Sequence, residues 1–131
     1  MKLWSLRLAA VLLAAQPVFA HHSFANFDLT KEITLVGTVK EVQFKNPHVW
    51  LQVMIPDGKG GQVEWSIEAG APGMLIRTGW KPSTLKAGDA VTVVTHPARS
   101  GEPNGSLIRV TIPDGRTLGP GGPPTPLKPG G

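Results

Sequence analysis

Between residues 33 and 112, glycine, proline and asparagine cut the chain into five β-type segments, and only one interval between them breaks strand alternation. Segments this short, rich in β-branched residues and bounded by turn formers, read as strands rather than helices. In 33–44, ITLVGTVKEVQF, Ile33, Leu35 and Val39 share one phase while Val42 and Phe44 share the other. A strand whose apolar set changes face needs a bulge or a sharp bend. Gly37 is a second point at which it can coil. Asn46-Pro47 then marks a turn. In 48–55, HVWLQVMI, Val49, Leu51, Val53 and Ile55 alternate with His48, Trp50, Gln52 and Met54. Loop 56–61 returns the chain into 62–69, where Val63, Trp65 and Ile67 oppose Glu64, Ser66 and Glu68.

Residues 71–79 fit a short helix carrying Met74, Leu75 and Arg77 and ended by Gly79. Trp80 follows and is placed to plug a barrel end. A turn over 85–89 opens the segment 90–96, with Val91 and Val93 inward, and Pro97 closes it. In 106–112, Ile108, Val110 and Ile112 alternate with Leu107, Arg109 and Thr111. The order β-β-β-α-β-β, with a long bent first strand and one helix between strands three and four, predicts an all-β, OB-like five-stranded Greek-key barrel. A small β-sandwich is the alternative. No internal repeat is visible.

The two ends differ from this middle. Residues 1–20, MKLWSLRLAAVLLAAQPVFA, place Lys2 and Arg7 before the apolar run 8–15, with Val18 and Ala20 where a signal peptidase needs small residues. The run is too short to span a bilayer, which takes roughly 20 apolar residues, and Gln16-Pro17 interrupt it. Residues 1–20 are therefore expected to be a cleavable signal peptide, with 21–118 a single domain and 119–131 a disordered Gly/Pro tail. The expected location is periplasmic or secreted, without a membrane anchor after cleavage. Cysteine is absent, so the fold rests on its core, with or without a metal or a partner. Losing Lys2 and Arg7 reduces the formal charge from +4 to +2, and the remaining charges form no basic block. Nucleic acid is therefore not an expected partner.

Chemistry-bearing residues are few. Cleavage after Ala20 makes His21 the first residue, and its α-amine and imidazole can chelate one metal ion together. A further imidazole would complete a three-nitrogen site. Alternatively, the amine, the His22 amide nitrogen and the His22 imidazole can hold Cu(II) in a plane. Nitrogen donors in planar geometry favour Cu(II). His96 is the nearer partner for His21, because the amino-terminal arm leads into strand one. His48 opens strand two, which places it towards the other end of strand one. The expected metal ligands are thus His21, His22, His96 and His48, with Cu(II) as the cofactor.

Trp50 is out of phase with the apolar set of its strand and is the expected ligand or partner contact. A metal-free module that meets another envelope protein near Trp50 is the alternative function. An enzyme is not expected. No serine sits in a nucleophile elbow, and Glu64 and Glu68 have the spacing of a solvated strand face. A copper-dependent oxidative enzyme would also need a flat substrate surface beside the metal.

The start His21-His22-Ser23-Phe24 with Phe27-Asp28 resembles a family of small exported bacterial proteins of unknown function, domain of unknown function family 6152. So do Gly37-Thr38-Val39, Asn46-Pro47-His48, Glu64-Trp65, Gly79-Trp80, Gly88-Asp89 and His96-Pro97. The resemblance spans residues 21 to about 118. It implies export and a shared fold, includes the histidine motifs in its pattern, and supplies no activity.

Overall fold

The computed structural model describes residues 25–120. The expected leader, His21, His22 and residues 121–131 of the tail lie outside them. The elements are β1 (Ile33–Gln43), β2 (Trp50–Pro56), β3 (Gln62–Glu68), α1 (Pro72–Arg77), β4 (Ala90–Pro97), β5 (Asn104–Thr111) and β6 (Thr117–Leu118). The strand order is β3-β2-β1-β4-β5-β6, and β3 also pairs with β5. That last pairing is parallel, from Ser66↔Asn104 to Glu68↔Ser106. It closes β1 to β5 into the expected OB-like barrel, with α1 between β3 and β4.

The long first strand serves both halves of the barrel. Ile33–Thr38 pairs with β4, and Thr38–Gln43 pairs with β2. The changeover falls at Thr38, next to Gly37, where a Cβ would collide with the Met54 carbonyl oxygen. Close backbone approach thus requires glycine there. The phase switch is met by a register shift between Val39 and Glu41 that leaves Lys40 as the extra residue. Leu35 and Val39 are buried, while Val42 and Phe44 pack against the core from its edge.

The interior is a continuous apolar cluster that includes Val49, Leu51, Val53, Ile67, Leu75, Val93 and Val110, each essentially fully buried. Trp80 belongs to it and is 2% exposed. Its backbone N–H donates to the Leu75 carbonyl at 3.0 Å, and its indole N–H donates to the Gly119 carbonyl at 3.0 Å. Gly119 and Pro120 are therefore held against the barrel, just beyond the short β6 that pairs with β5. Pro120 also lies against Gly70, where a Cβ would meet its carbonyl oxygen at 2.7 Å.

Two strands depart from simple alternation. In β5 the register moves from Val94↔Arg109 to Thr95↔Leu107, so Ile108 is a bulge. Leu107 is buried at 3% exposure together with Val110 and Ile112, and Ile108 loses the inward place that alternation assigns it. In β3, Ile67 is buried, Trp65 is only half-buried and Val63 is exposed. The hairpin pairs Ile55↔Val63 and Pro56↔Gln62, and this outer end gives Val63 no core to enter.

Candidate functional site

An amino-terminal arm precedes β1. Phe27 forms an antiparallel bridge with Ala98. The Asp28 N–H donates to the Pro97 carbonyl at 2.9 Å, and the Arg99 N–H donates to the Asn26 carbonyl at 2.9 Å. The arm thus extends the β1–β4 ladder past the end of β4. Asp28 turns the chain: its carboxylate accepts from the Thr30 hydroxyl at 2.6 Å and the Thr30 N–H at 3.1 Å, and pairs with Lys31 at 3.2 Å. The Thr30 hydroxyl, the Thr30 N–H and Lys31 hold the Asp28 carboxyl down to about 2. Upstream, the arm enters a polar cleft of about 350 Å³ lined by Asn26, Arg99, Ser100, Glu102 and Asn104.

His96 sits where this arm joins the barrel. Its ring Nδ1 lies 2.8 Å from the Lys31 carbonyl oxygen. A carbonyl only accepts, so Nδ1 carries the hydrogen and, in the neutral ring, Nε2 carries the lone pair. His48 is fixed in the same way by a different acceptor: its Nδ1 is 2.6 Å from Glu68 Oε1. An oxygen acceptor on one ring nitrogen is what orients a metal-binding histidine and leaves the other nitrogen to coordinate.

The two histidines stand beside opposite ends of β1, as the pairs Ile33↔Thr95 and Gln43↔Trp50 require. Closure through β3 and β5 gives a shorter route between them. His96 pairs with Ser106, Ser106 with Glu68, and Glu68 with Trp50. His96 and Glu68 are thus two strand steps apart, about 10 Å. Among the described residues no three histidine, aspartate or glutamate side chains converge on a metal-sized space.

Trp50 lies in this row on the outer surface, half-buried, between the inward-facing Val49 and Leu51. Gln43 pairs with it on one side and Glu68 on the other. The next row runs Glu41↔Gln52, Gln52↔Ser66 and Ser66↔Asn104. The Gln52 amide donates to the Ser66 hydroxyl at 3.0 Å, and the Gln43 amide reaches Glu41 at 3.4 Å. Neither row contains lysine or arginine. The carboxylates of β3 have separate partners, with Glu64 paired to Lys40 at 2.6 Å and Glu68 to His48. Strand alternation alone makes Glu68 an ordinary solvated glutamate. The signal that could have found it was the hairpin itself, because folding about the 56–61 loop puts residue 68 opposite Trp50.

A closed five-stranded barrel with one inserted helix and a paired amino-terminal arm defines a small β-barrel, an architecture that hosts many unrelated functions. The model for the Family of unknown function (DUF6152) matches residues 9–107, and the chain belongs to that family. No curated protein and no solved structure matches it.

Proposed function

We propose that the chain is an exported, non-enzymatic binding protein of the periplasm or outer medium, which holds Cu(II) at a processed amino terminus beginning with His21. The His21 α-amine supplies one nitrogen donor, and either the His21 and His96 imidazoles or the His22 amide nitrogen and imidazole supply the others. The observation that carries this reading is the hydrogen bond from His96 Nδ1 to the Lys31 carbonyl, which leaves Nε2 as the ring's lone-pair donor on the edge where the arm is stitched. His21 precedes the first described residue, Ala25, by four positions, a span of at most about 14 Å. Ala25 lies past Phe27 along the ladder, so the arm must turn back for His21 to meet His96. The His21–His22 donor set needs no such turn. The described histidines do not form a site among themselves, so the amino-terminal residues are indispensable to the proposal.

Mass analysis of protein recovered from an exporting host should give a chain starting at His21. Calorimetry of that chain with Cu(II) should show binding tighter than that of a free His-His-Ser peptide, and one residue added before His21 should abolish it. His96→Ala should bring the affinity down to that of the peptide, because His21 and His22 alone offer only the donors that the peptide already has. Affinity equal to that of the peptide would end the proposal.

A further inference from the structure

Trp50 differs from the two other tryptophans of the barrel. Trp80 is sealed inside and Trp65 packs against the core edge, whereas Trp50 projects from the outer face of β2. Its ladder neighbours are Gln43 and Glu68, and the next row brings Gln52, Ser66 and Asn104. Gln43 and Glu68 thus flank the indole at strand spacing, about 4.8 Å, comparable with the width of a sugar ring, and Gln52, Ser66 and Asn104 lie one row further on. They are half-buried on a closed sheet, and the Gln52–Ser66 hydrogen bond orders two of them. An array held in this way loses little freedom on binding.

We propose that this face is a binding site for a neutral, hydroxyl-rich glycan. The electron-rich face of an indole attracts the C–H edges of a sugar ring, while the surrounding amides and carboxylates pair with its hydroxyls. Phosphate-bearing polymers are disfavoured, since they need lysine or arginine and the rows offer Glu41 and Glu68 instead. A peptide cannot add as a strand within these rows, because β2 is paired on both sides there and β3 is paired on both sides over Ser66–Glu68. An apolar protein anchor has no pocket here, as Trp50 is the sole large apolar side chain of the two rows. The site is independent of the copper proposal and uses none of its ligands.

The test is an NMR titration of the full chain, as recovered from an exporting host, with a panel of neutral gluco-, manno- and N-acetylhexosamine oligosaccharides and, separately, with sulfated and phosphorylated polymers. At least one should shift the Trp50 indole N–H while the Trp80 indole stays in place. Trp50→Ala should weaken that binding by about tenfold or more, the loss expected for a central aromatic contact. Gln52→Ala, which spares the indole, should weaken it by a smaller factor, and raising the salt concentration should leave it unchanged. Absence of any Trp50 shift across the panel would overturn the proposal. So would undiminished binding by both variants, or a response confined to sulfated or phosphorylated polymers.

Discussion

Trp80 and Phe27 are both buried aromatics that close the structure at a chain crossing, yet they are held in different ways. Trp80, 2% exposed, belongs to the main apolar cluster and ties α1 to the segment after β6 through its indole N–H. Phe27, 5% exposed, lies outside that cluster. Backbone hydrogen bonds to Pro97 and from Arg99 hold its segment, and a polar cleft adjoins it. Exposure alone would rank the two alike. Contact with the shared core separates them, because a side chain outside it can be released without dissolving the barrel.

The largest effect is expected from Trp80→Ala. Removing a core tryptophan should cost about 3–5 kcal/mol, a large part of the 5–15 kcal/mol typical of a domain. Chemical denaturation should show a lower midpoint for the whole barrel, with exchange accelerated at all core amides. A loss confined to α1 would show that the plug and the barrel are separable.

Gly105→Ala tests the junction between the two regions. A Cβ there would strike the buried Thr95 hydroxyl and approach the His96 carbonyl to 2.8 Å. Thr95 is fully buried and donates to the Ser106 carbonyl at 2.7 Å, so it has little room to yield. Overpacking of this kind costs about 1–3 kcal/mol, read from the same denaturation midpoint. Phe27→Ala should lower that midpoint by less than half the Trp80→Ala shift. Hydrogen exchange at the Asp28 and Arg99 amides should nonetheless rise sharply. Equal midpoint shifts for the two aromatic variants would erase the distinction.

The same contrast explains which features could be read from sequence. The Trp80 plug, the helix position and the β1 bulge all leave periodic traces, such as the switch from Ile33, Leu35 and Val39 to Val42 and Phe44. The β5 bulge leaves none, because Leu107 and Ile108 are both apolar and either phase satisfies the pattern. The Phe27–Ala98 bridge and the two-residue β6 are too short for any period to show. The row from His96 to Trp50 depends on the parallel β3–β5 closure, a long-range pairing that no local residue choice encodes. The strand elements were therefore readable, whereas the surroundings of the histidines depended on how distant strands closed. His21 and His22, on which the copper reading rests, lie outside the described residues.

The smallest expected effect is the response of the arm to acid. The Asp28 carboxyl, ordinarily near 3.8, is lowered to about 2 by the Thr30 hydroxyl, the Thr30 N–H and Lys31. A group whose folded-state value is depressed contributes stability that is full above its unfolded value and disappears as the pH falls through the folded one. The arm should therefore stay in place above the ordinary carboxylate range and loosen as the pH drops from there towards 2. Asp89 and Asp114 are also depressed, by Lys86 and Arg116, so acid weakens the turns before β4 and after β5 as well. Asp28→Asn isolates the arm's share. In that variant the Ala98 and Arg99 amide shifts should lose the acid-induced change that the unaltered chain shows, while the amides of β2 and β3 behave alike in both. Superimposable acid titrations at Ala98 and Arg99 would mean that backbone pairing alone holds the arm, leaving Phe27 and the bridge at Ala98 as its whole anchor.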